Sequence, residues 1–229
     1  MNLLKNNIKL AGLLIILGMV AGILSIASSV DSPEYLTESA VNTTQVSIAA
    51  LFQFILSLTY VGFAILLYPI VKKYSQELAL GFLSFRIIAG IVLIVGTIIL
   101  LSIPVLSQEF VKSTLENQIV LEAFGNVLKI TRDYINHIFM VFTIGIANIM
   151  LYILFLKTKL IPKWLSVWGI SGTILSILAS MLLLFNIVDV ITVEYLVLNA
   201  PTGFFEITLG FWLILKGFNN LLNSSYSYE

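Results

Sequence analysis

The chain has no cysteine and a single histidine, His137. Without thiols there can be no disulfide, thiol nucleophile, iron–sulfur cluster or thiolate-held metal. One imidazole excludes a bis-histidine haem or a multi-histidine metal centre within one chain, and no pattern supports a carboxylate-only site. No metal and no cofactor are therefore expected. Charge is scarce as well. Only 10% of the residues are charged, against about 25% in soluble domains. Twelve basic and twelve acidic residues balance to a formal net charge of zero. That leaves no concentrated basic face of the kind nucleic acid requires, so no nucleic-acid partner is expected.

What the chain has instead is apolar length. Of its 229 residues 59% are hydrophobic, and the mean hydropathy is +1.04. About 20 apolar residues cross a bilayer as a helix. Such runs recur near residues 10–30, 48–70, 78–105, 135–156, 164–188 and 196–215. The expected fold is an all-α, polytopic membrane helix bundle of six transmembrane helices, one transmembrane domain over residues 1–229. Its partner is the lipid bilayer and its location the cell (inner or plasma) membrane. The first run is longer than the 7–15 residues of a signal-peptide core, so it reads as a retained first span.

Lysines set the orientation. With the N-terminus cytoplasmic, Lys5, Lys9, Lys72, Lys73, Lys157, Lys159, Lys163 and Lys216 all lie inside. Only Lys112, Lys129 and Arg132 lie outside, so the positive-inside rule puts both termini in the cytoplasm. In the long outer connection, 106–134, Val111, Leu115, Ile119, Ala123 and Val127 recur every four residues, after a "STLE" with the form of a capping box. Two readings stay open there: an amphipathic helix on the outer surface or lidding the bundle, or a loop that only packs.

"GFLSFRIIAG" (81–90) places Arg86 deep in the third run. Nine residues separate it from Glu77, about 13 Å of helix rise. Glu206 precedes Lys216 by ten residues, about 15 Å, and Asn148 precedes Lys157 by nine. All three fall in nearly one layer. A charge near a helix centre costs about 2.5–3.5 kcal/mol, and arginine does not give up its proton. Glu206 is the only acidic residue in the middle of a run, so an Arg86–Glu206 pair is expected, with Asn148 beside it. His137, near the outer interface, lies eleven residues before Asn148 on the same helix face. A polar seam from the outer mouth to the pair follows. Gly18 and Gly22 on the first span, and Gly172, Ser176 and Ser180 on the fifth, signal close helix packing.

Four segments together carry a resemblance: "LYPIVKK" (67–73), "LALGFLSFRIIAG" (78–90), "KLIPKWLSVWGISG" (159–172) and "FFEITLGFWLILKGF" (204–218). They resemble the bacterial domain-of-unknown-function 4386 family, from the first span to Phe218, the turn Lys159–Leu165 being the most specific piece. The resemblance implies a six-span membrane protein with an arginine in the third span and a glutamate in the last, at Arg86 and Glu206. Where members often show His-Asp-Tyr at the entry to the fourth span, this chain reads Arg132-Asp133-Tyr134. The family implies no activity.

Two functional readings remain. In one, the polar layer of Arg86, Glu206, Asn148 and His137 binds or carries a small molecule or ion. In the other, the chain is a structural or interaction protein, a subunit or immunity-type protein, in which the charge pair only specifies which helices pack. An intramembrane enzyme is not expected and no catalytic residue is assigned: there is no HExxH, no aspartate pair within spans and no GxSxG elbow.

Overall fold

A computed structural model describes residues 2–190 and 192–219. Among them there are nine α-helices and no strand: α1 (Asn2–Leu24), α2 (Ser28–Asp31), α3 (Tyr35–Val41), α4 (Thr43–Val71), α5 (Gln76–Lys112), α6 (Leu115–Asp133), α7 (Met140–Thr158), α8 (Lys163–Leu184) and α9 (Val193–Leu215). A π-helical turn, Tyr134–Phe139, joins α6 to α7. Six helices are long and apolar enough to cross a membrane, and the chain is a multi-pass membrane protein. The spans are α1, α4, α5, the α7 part of the continuous helix Leu115–Thr158, α8 and α9.

The six close into a ring. In chain order α1 packs on α4, α4 on α5, α5 on α7, α7 on α8 and α8 on α9, and α9 returns to α1. Closure depends on two glycines without side chains: a Cβ on Gly12 would stand 2.7 Å from the carbonyl oxygen of Gly210. Gly18 likewise lets α1 settle on α4, where a Cβ would meet Thr59 Oγ1 at 2.7 Å. The small residues of α8 act as the sequence suggested. Ser176 and Thr202 of α9 share a hydrogen bond of 2.8 Å, and Ser180 Oγ donates to the His137 carbonyl.

The two ends of the ring differ. At the lysine-rich end a large apolar cluster, including Phe63, Leu67, Phe82, Phe155, Leu165 and Leu213, fills the interior. The turn Lys159–Leu165 belongs to this plug. Lys159 takes the left-handed conformation (φ 57°) that ends α7, Leu160 and Ile161 are buried, and Pro162 precedes the first turn of α8. A basic residue at a helix C-terminus, two apolar residues and a proline thus make one tight inward-facing corner. At the acidic end the interior is hollow.

Several boundaries differ from the sequence expectation. The first span stops at Leu24, not near Val30, because Ser25 turns back to donate to the Gly22 carbonyl and α2 starts afresh at Ser28. Segment 106–134 is helical. α5 has 37 residues, about 55 Å at the usual rise, so it overshoots the bilayer, and α6 packs back along it. The expected capping box does not form: Ser113 Oγ donates to the Phe110 carbonyl instead, and no side chain caps α6. The apolar stripe of α6 is not sheltered by this chain. Leu115, Ile119 and Val127 face outward, while Gly125 meets Tyr35 and Leu36 of α3. The last span runs unbroken through Pro201.

Candidate functional site

Arg86 is buried, 6% exposed, on the inner side of α5. Its Nη2 donates to Asn148 Oδ1 on α7 at 2.5 Å. Its guanidinium carbon lies 4.8 Å from the ring centre of Phe63, and 5.7 Å from those of Tyr60 and Phe82. Aromatic faces at these distances attract a cation, more strongly where water is excluded. The Nε proton, however, has no acceptor.

The expected Arg86–Glu206 contact is not made. Among the described residues no carboxylate lies within 4.0 Å of the Arg86 guanidinium. Helix rise matched the depths, but depth does not fix azimuth. In the ring α5 sits between α4 and α7, whereas α9 sits between α8 and α1. Arg86 and Glu206 instead line one cavity of about 270 Å³, together with Tyr60 of α4, Tyr152 of α7 and apolar residues of α1. Of the partners expected in the layer, Asn148 is in direct contact with Arg86 and Glu206 is across the hollow.

Sequence reasoning passed over both tyrosines. Tyr152 had a signal, standing one helical turn beyond Asn148 on the same face. Tyr60 had none beyond being a hydroxyl in mid-span. Among the described residues neither phenol hydroxyl, nor the Glu206 carboxylate, has a hydrogen-bond partner within the chain, as the side-chain bonds of this layer reduce to Arg86–Asn148.

A second, larger cavity of about 1180 Å³ occupies the acidic end and opens between connecting segments, where Asn186 and Asp189 are exposed. His137 belongs here. Its Nδ1 lies 3.2 Å from Tyr195 Oη, and the ring stacks edge-on against that tyrosine. The structure therefore separates His137 from the Arg86 layer. The two cavities adjoin at Gly22, Ile26 and Leu56, which line both. That junction offers no polar side chain, so the expected polar seam is interrupted there.

The outer cavity also holds an ionic cluster that no local pattern announced. Arg132 Nη2 lies 2.5 Å from Asp31 Oδ1 and 2.7 Å from Asp133 Oδ1, tying α2 to α6 across 101 positions of chain. Lys129, which lines the same cavity, has its Nζ 4.9 Å from the Tyr35 ring centre, and burial together with the nearby Glu122 holds the Tyr35 phenol above its ordinary range. Among the described residues no group of three or more His, Asp or Glu side chains is placed to hold a metal.

No curated protein and no solved structure matches the chain. A family model does: the one described as Domain of unknown function (DUF4386) matches residues 10–217, from within the first span to the end of the last and including every residue of the Arg86 cavity. Arg86 and Glu206 lie within the matched residues, and the chain is a member of the DUF4386 family.

Proposed function

We propose that the chain sits in the cell membrane with both termini cytoplasmic and binds a small polar solute beside Arg86, entered from the acidic, outer end. One observation carries this reading. A permanently charged guanidinium lies buried with a single hydrogen bond among the described residues, and the only mid-span carboxylate lines the same cavity. In the packing-only reading the two charges should touch, because a buried ion pair offsets its desolvation only at contact geometry. Their separation favours a ligand site. The asymmetry of the ring, plugged at one end and hollow at the other, also suits a carrier in one of its two access states.

The absence of native cysteine makes a direct test simple. Single cysteines are placed at Leu56, where the cavities meet, at Leu209, on the wall of the inner one, and at Leu67, in the plug. A small polar thiol reagent added from the outer side should label Leu56→Cys and Leu209→Cys, and leave Leu67→Cys unlabelled. A Leu209→Cys variant as inert as Leu67→Cys would mean a dry, closed bundle, and the packing reading would replace this one.

A further inference from the structure

Resting on that site, we propose that its ligand is a compact zwitterion: one anionic group, one ammonium and a short aliphatic part. The walls present a fixed cation from α5 and a carboxylate from α9. A plain anion would answer Arg86 but face Glu206, and a plain cation would do the reverse. A dipolar ligand answers both, and it brings no net charge into a low-dielectric site where an unpaired charge is costly. Arg86 is well suited to the anionic end. Aromatic rings crowd its flat face, Asn148 takes one edge donor and Nε is sealed off, which leaves the remaining Nη donors for an incoming oxygen. The side chains of Tyr60 and Tyr152, which line the cavity from α4 and α7, can donate to that group or accept from the ammonium through their hydroxyls.

Size and lining narrow the class. About 270 Å³ is the room of roughly nine waters at about 30 Å³ each, enough for a ligand of roughly ten non-hydrogen atoms. Leu14, Ile15, Met19 and Leu209 supply an apolar wall for the aliphatic part. Two sources share this chemistry. One is a free aliphatic amino acid arriving through the outer cavity. The other is the ethanolamine phosphate head of a lipid slipping past α1, whose Ile23 and Ile26 line the cavity and are exposed to the surroundings.

The test uses the whole protein in phosphatidylglycerol nanodiscs and reads thermal stability and calorimetric binding. L-leucine, L-isoleucine and L-valine are compared with 4-methylpentanoate, which has only the acid, and 3-methylbutylamine, which has only the amine. A parallel set of nanodiscs contains phosphatidylethanolamine. The expected result is binding of at least one amino acid at least tenfold tighter than of either single-charge analogue. Alternatively, phosphatidylethanolamine alone stabilises the protein, which assigns the lipid head as the source. Glu206→Gln should erase the preference, so that zwitterion and plain acid bind alike. The proposal is overturned if the acid or the amine alone binds as tightly as its parent amino acid. It is equally overturned if neither the amino acids nor phosphatidylethanolamine stabilises the wild type. These outcomes differ from failure of the site itself: in that case Leu209→Cys would not label, whatever the ligand series showed.

Discussion

The hydrogen bond from Arg86 to Asn148 should carry more energy than any interaction between Arg86 and Glu206. Bonds to a charged group contribute about 1.5–3 kcal/mol, more when the site is sealed. Asn148 is only 3% exposed, and its bond to Arg86 is 2.5 Å long. Glu206 lies beyond 4.0 Å, across a cavity. The perturbations are Arg86→Met, Asn148→Ala and Glu206→Gln, singly and in the two pairs that include Arg86. Each single change also alters packing, but a double-mutant cycle removes terms that do not depend on the partner. A chain of this size shifts its midpoint by about 2–4 °C per kcal/mol. The Arg86/Asn148 coupling should therefore amount to about 3–12 °C, with the Arg86/Glu206 coupling less than half as large. Tryptophan fluorescence during heating in detergent micelles reads both, since the three tryptophans lie in α8 and α9. Additive losses for Arg86→Met and Asn148→Ala would show that the bond contributes nothing. A larger coupling to Glu206 would show that the two charges meet directly in the folded protein, which would refute the separation described here.

Three further outcomes are expected. Reporter fusions after Asn42 and Gln118 should read as external and those after Ser75 and Thr158 as internal; reversal at any two sites would invert the topology. Gly12→Val should destabilise the protein by about 1–3 kcal/mol through overpacking, because its side chain meets the α9 backbone, whereas Gly203→Ala, with nothing within 4 Å of its Cβ, should not; equal effects in a thermal melt would remove the glycine contact as the basis of closure. Gly125→Val should push α6 from α3, where even a Cβ meets Tyr35 Oη at 2.5 Å, and speed tryptic cleavage at Lys129; unchanged cleavage would mean that α6 is held elsewhere.

Hydropathy made the spans legible because the bilayer imposes a length, and lysine placement gave an expected orientation. Helix rise put Arg86, Asn148 and Glu206 at one depth; the structure bonds Arg86 to Asn148 and sets Arg86 and Glu206 on one cavity. It could not tell a neighbour from a residue across the ring, since azimuth depends on which helices pack together. That is why the strongest expected partner, Glu206, lies beyond 4.0 Å on the shared cavity while Asn148 bonds Arg86 directly. Arg132 and Asp31 were invisible as partners for a related reason: they lie on different elements, and only the turn after α1 brings Asp31 within reach. The π-turn at Tyr134–Phe139 left no trace either, since a run such as "YINHIF" suits an α-helix equally well. Position in the four-residue stripe of α6 indicated a helix correctly, but not which side it would turn to α5.

Closure of the ring through Gly12 and Gly210 sets an order on biogenesis. The two glycines are 198 positions apart (210 − 12). At about 5–20 residues per second, the ribosome needs roughly 10–40 s between making one and the other. Once α4 and α5 are made, α1 has α4 to lean on but not yet α9, so the wall between the Arg86 hollow and the lipid is incomplete. Asn148 is translated in the meantime, which gives the guanidinium its acceptor before the last span arrives. From Arg86 to Gly210, 124 positions of chain (210 − 86), the pocket around the guanidinium has no α9 wall, and the last helix to be made is the one that closes it.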